Sequence, residues 1–95
     1  MIPLAILGGI LAGAVIAVLM LHYQDIINWF RQKVPLDKDN VGVVLKKQIA
    51  GGKFKVLKVG FNTETNEIGE HELNEAEKID DELASKPNSF VFDEV

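Results

Sequence analysis

Cysteine is absent from the 95 residues. Its absence excludes a disulfide framework and a thiolate metal site, and it fits a reducing compartment. Histidine occurs only as His22 and His71. In a strand, His71 points away from its neighbours Glu70 and Glu72, so the three do not form a clamp. The helical His-Glu-x-x-His spacing is also missing. Gly8-Gly9 and Gly51-Gly52 are isolated pairs, not phosphate-binding loops. The run Asp80-Asp81-Glu82 lacks the glycine and ligand spacing of a calcium loop. No serine, histidine and aspartate arrangement marks a nucleophile, and no Asn-x-Ser/Thr acceptor is present. The chain therefore reads as a non-enzyme without catalytic residues, cofactor or metal.

Charge is missing from one long stretch. Between Ile2 and Leu21 there is no charged residue and no Asn, Gln, Ser, Thr or His. As a helix this run spans roughly 30 Å, the thickness of a bilayer's hydrocarbon core. A cleaved signal peptide would start with basic residues and carry a shorter apolar stretch; neither holds here. The expectation is a retained, single-pass transmembrane helix. Arg31, Lys33 and Lys38 follow it, so the positive-inside bias places the N-terminus outside and the remainder in the cytoplasm.

Within that run Ala5, Gly9, Gly13 and Ala17 recur every fourth residue. On a helix they form one shallow groove, with a GxxxG at its centre. In lipid, helices associate by close packing rather than by hydrophobic gain, so this groove is the expected helix-packing interface. Its expected partners are the lipid bilayer and another transmembrane helix, either a second copy or a different membrane protein.

The next stretch, HYQDIINWFRQKVP, repeats apolar residues at helical spacing: Tyr23, Ile26, Ile27, Phe30 and Val34. The helix should stop before Pro35. Tyr23, Trp29, Phe30, Arg31 and Lys33 are the expected anchors at the membrane surface. Residues 1–34 then form the membrane helix with its amphipathic extension, 35–40 a linker, and 41–95 a small α+β domain.

In that domain VGVVLKKQIA and KFKVLKVGFN flank Gly51-Gly52, which predicts a hairpin with a two-residue turn and Val44 opposite Val59. TETN at 63–66 is a second turn signal, followed by a weaker third strand. Pairing Lys58 with Glu72 and Leu57 with Leu73 matches charge and apolarity. Asn74 with Glu77 reads as a helix start, and Lys86-Pro87-Asn88 as its end. SFVF then predicts a last strand with Phe90 and Phe92 on one face. Strand 54–61 is apolar on both faces, which calls for cover on each.

Charge is divided along the chain. Residues 41–62 hold Lys46, Lys47, Lys53, Lys55 and Lys58 and no acid, whereas residues 63–95 hold 11 acids against Lys78 and Lys86. The five lysines are candidate contacts for anionic headgroups. Nucleic acid is not an expected partner, because the basic patch is small, sits in an acidic chain and matches no motif. These readings converge on a small subunit or adaptor of a membrane-associated complex, acting through helix packing and a docking domain. The alternatives are a self-associating membrane effector, such as a toxin, holin-like or phage-exclusion protein, and a membrane-tethered immunity or regulatory protein.

Overall fold

The computed structural model describes residues 15–34 and 39–92. They fold into one five-stranded sheet with helices against one face. The strands are β1 (Val15–Leu21), β2 (Asn40–Gln48), β3 (Phe54–Asn62), β4 (Glu67–Ile79) and β5 (Ser89–Phe92). Helix α1 (Tyr23–Lys33) links β1 to β2, and the short α2 (Asp81–Ala84) links β4 to β5. The spatial order is β1-β4-β3-β2-β5. Only β1 and β4 run parallel; the other neighbours are antiparallel.

The single-pass membrane fold is overturned by this arrangement. The last seven residues of the apolar run, VIAVLML, are strand β1, paired with β4 from Val15–Leu73 to Leu21–Ile79. Among the described residues no helix is long and apolar enough to cross a membrane. The membrane localisation with an outside N-terminus falls with that fold. The physical reason lies in Val15, Ile16 and Val18, whose β-branched side chains suit a pleated surface, and in a neighbouring strand that takes up the backbone hydrogen bonds.

Helix α1 forms where the apolar spacing predicts it. Asp25 accepts the His22 backbone N–H at its start (3.0 Å), and Val34 is extended ahead of Pro35. Its apolar stripe, however, goes into the core: Ile26, Phe30 and Val34 are buried with Val44, Val56, Ala76, Leu83 and Phe92. Two glycines make room for it. A Cβ on Gly42 would stand 2.7 Å from the Phe30 ring, and one on Gly60 would stand 2.9 Å from Val34 Cγ2. Phe30 stacks on Phe92, with ring centroids 5.5 Å apart.

The β2–β3 hairpin forms, but one residue out of the expected register. Ala50–Gly52 make a 3₁₀ turn closed by Ile49 N–H donating to Lys53 C=O (2.8 Å), with Gly51 and Gly52 at φ +82° and +76°. Val44 therefore pairs with Lys58 rather than Val59. A one-residue slip exchanges the faces of a strand. Lys58 thus shares the helix-covered face with Val56, and Leu57, Val59 and Phe61 join Val43 and Leu73 in a second buried cluster. Strand β3 is covered on both faces, as its two-sided apolar character demands.

The helix expected from Asn74 is mostly strand. β4 continues to Ile79, because residues 73–76 pair with β1 on one side and β3 on the other; Ala76 lies opposite both Val18 and Phe54. Two neighbouring ladders outweigh local helix propensity. Only Asp81–Ala84 is helical. Its cap is Asp80, whose carboxylate accepts from Leu83 N–H (2.8 Å) and from Tyr23 N–H (3.2 Å), tying α2 to the start of α1.

Lys46 closes the other end of α2. Its Nζ donates to the carbonyls of Lys86 (2.7 Å), Leu83 (2.8 Å) and Ala84 (3.4 Å). Burial lowers its pKa from the ordinary 10.5. Lys46→Met leaves these carbonyls short of a donor and is expected to cost about 1–3 kcal/mol in urea unfolding. The gap should widen with rising pH. Between the lowered folded pKa and 10.5 the unfolded chain holds more protons than the folded one, so the wild type gains stability across that window. The Met variant has no such group. Unfolding curves for both proteins over that pH range check the sign.

Candidate functional site

Strand β1 stands at one edge of the sheet, bonded to β4 alone among the described residues. Edge strands usually carry lysine, proline, a bulge or an inward charge that discourages further pairing. VIAVLML has no charge and no proline. Most of its side chains are open to solvent, with Leu19 77% exposed, Ile16 52%, Met20 39% and Val15 38%, whereas Val18 is half-buried and Leu21 is buried.

Each face of this edge adjoins a hollow. On the helix side a cleft of about 310 Å³ lies between Ile16, Val18 and Met20 of β1 and Asn28, Trp29 and Gln32 of α1. Its lining includes Lys58 of β3 and Glu72 and Asn74 of β4. Lys58 Nζ donates to Glu72 and lies 5.2 Å from the centroid of the Trp29 ring. The Lys58 side chain is 4% exposed and that of Glu72 27%. Asn74 is buried, and its amide donates to the Ile16 carbonyl (3.3 Å), which ties β1 to β4; its Oδ1 has no partner. On the opposite face Ala17 and Leu19 line a hollow of about 320 Å³ with Lys53, Glu75 and Glu77.

The residues singled out from the sequence are dispersed. Ala5, Gly9 and Gly13 lie outside the described residues. Ala17 is in β1, where spacing by four no longer makes a helical groove. Phe30 is in the core, and Trp29 packs edge-on to it with centroids 5.1 Å apart. Tyr23 meets Phe90 and Phe92, with Lys86 Nζ 4.7 Å from its ring centroid. Arg31 and Lys33 are exposed on α1. The five lysines do not share a surface. Lys46 and Lys58 are buried on the helix-covered face, while Lys47 is exposed, Lys53 and Lys55 are half-buried, and Lys55 lies beside Glu75.

The groups capable of chemistry are also apart. His22 pairs with Asp25 (3.3 Å), and His71 Nδ1 is 3.4 Å from the Gly69 carbonyl. Among the described residues no three His, Asp or Glu side chains converge on a metal-sized position. The exposed edge itself, Ile16, Leu19 and Met20, is not apparent from helical periodicity. The signal that reveals it is the change in composition along the apolar run, from glycine and alanine to the β-branched Val15, Ile16 and Val18. No protein-family model, curated protein or solved structure matches this chain.

Proposed function

We propose that this protein is a non-enzymatic docking module whose β1 edge receives an extended, uncharged segment of a partner as an added strand. The observation that carries this reading is the edge left open among the described residues: a strand without charge, with Leu19 77% and Ile16 52% exposed. Strand addition supplies main-chain hydrogen bonds for affinity and side-chain hollows for selectivity. Side chains of an added strand would alternate between the two faces of the sheet, beside Ile16, Val18 and Met20 on one and Ala17 and Leu19 on the other. A small-subunit or adaptor role, read from the sequence, keeps its sense with the contact moved from a helix to a strand.

The test is a titration of the isotope-labelled chain with a soluble, uncharged peptide of alternating valine and threonine. The expected result is saturable movement of the β1 and β4 amide resonances and slowed hydrogen exchange along β1. Leu19→Asp and Ile16→Asp should each weaken binding about tenfold or more, because a charge is then desolvated opposite an apolar strand. Shifts centred on β5 or α1, or binding indifferent to both substitutions, would refute the reading.

A further inference from the structure

We infer that the cleft between β1 and α1 is a binding site for a small uncharged molecule, a single aromatic ring bearing a carboxamide that both donates and accepts a hydrogen bond. This site is independent of strand docking, since it lies on the floor of the cleft and not along the backbone edge. Asn74 carries the inference. The residue is 2% exposed and lines the cleft, and among the described residues its Oδ1 has no partner. Its Nδ2 donates to the Ile16 carbonyl (3.3 Å). That acceptor fixes how the amide is turned, because the reverse would set oxygen against oxygen. The unpaired atom is therefore an acceptor. Buried acceptors are seldom left without a hydrogen bond, so the occupant of the cleft must bring a donor.

Lys58 supplies the complementary group. Its ammonium holds three N–H donors, yet its partners are one carboxylate, Glu72, and one ring, Trp29. A donor is left over on a side chain only 4% exposed. Lys58 lies opposite Glu72, so Asn74 is its diagonal neighbour on the same face. Diagonal neighbours are about 7–8 Å apart, and one small polar group between them can meet both. Charge selects against ions. Lys58 and Glu72 neutralise each other, and Asp25 at the rim is taken up by His22 (3.3 Å). An anion would meet the Glu72 carboxylate and a cation the Lys58 ammonium. The remaining walls, Val18, Met20 and the Trp29 ring, suit a flat apolar body. A volume of about 310 Å³ is at the lower end of small-molecule sites and holds one ring rather than a fused system.

Trp29 is the only tryptophan of the chain, so its fluorescence reports on the cleft directly. Benzamide should change that fluorescence saturably and move the Asn74 side-chain amide resonances of the isotope-labelled chain. Acetophenone has nearly the same shape but no N–H. It should bind about tenfold more weakly or worse, because it leaves Oδ1 unpaired. Benzoate, anionic and without the donor, should not bind. These comparisons use the unmodified chain, so none depends on the folding of a variant. Asn74→Leu should then bring benzamide down to the level of acetophenone and leave acetophenone unchanged. Equal binding of benzamide and acetophenone, a preference for benzoate, or no saturable response to any of the three overturns the inference; in the last case the buried oxygen is met by water alone. If benzamide fails while the valine–threonine peptide still binds, the small-molecule site falls and the docking reading stands; the converse result removes the docking reading alone.

Discussion

Glu72→Leu is expected to destabilise the protein by about 3–5 kcal/mol, because it strands a buried ammonium. Lys58 reaches its ion pair from the middle of β3 with a side chain only 4% exposed, between the Trp29 ring and the Glu72 carboxylate. Burying a charge is tolerable while its partner and hydrogen bonds are present and costly once they are removed. The reciprocal change differs. Lys58→Met leaves a carboxylate whose side chain is 27% exposed and can be hydrated, so its cost should be smaller. The double variant Lys58→Met/Glu72→Leu should recover most of the loss, since two apolar side chains suit a cleft already walled by Ile16, Val18 and Met20. Urea unfolding of the four proteins gives the coupling directly. A loss of about 1 kcal/mol or less in Glu72→Leu, the worth of an exposed pair, would show that Lys58 escapes to solvent and that the cleft is wetter than its geometry indicates.

The same ion pair shows how far the sequence can be read. Opposite charges and matched leucines identify the β3–β4 register, Lys58 with Glu72 and Leu57 with Leu73, because one strand pair contains all the information needed. Helix α1 is equally legible: its periodic apolar stripe and Pro35 are local signals. What the stripe cannot tell is its destination, since a core and a membrane surface ask for the same side chains. Where two non-local ladders converge, local signals fail. Asn74 and Glu77 look like a capping box, yet β4 runs through them because β1 and β3 flank it. The hairpin turn misleads by a single residue, and that residue decides whether Lys58 faces the helix-covered side. The open β1 edge is the least legible feature. Its existence depends on Val15–Leu21 pairing with residues 58 positions away, and no local pattern records a contact of that range.

Phe30→Ala should cost about 3–5 kcal/mol, the larger end of core truncations. The ring is fully buried, stacks on Phe92, and lies where it does only because residue 42 is glycine. Gly42→Ala, in turn, would put a methyl group 2.7 Å from two ring carbons, and overpacking of this kind costs about 1–3 kcal/mol. Alanine is the better strand and chain-entropy choice at an extended position, so a destabilised Gly42→Ala isolates the steric term. The two changes are in direct contact and should not add. In the Phe30→Ala background the new methyl group enters the space the ring vacated, and the double variant should be more stable than the sum of the single losses predicts by about 1 kcal/mol or more. Strict additivity in denaturant unfolding would mean that Phe30 does not rest on Gly42. The α1–sheet distance that shapes the cleft beside β1 would then be set elsewhere, and peptide binding at that edge would be insensitive to residue 42. If the coupling is present, Gly42→Ala should instead lift α1 from the sheet, widen the cleft between Trp29 and Met20, and loosen whatever strand β1 holds.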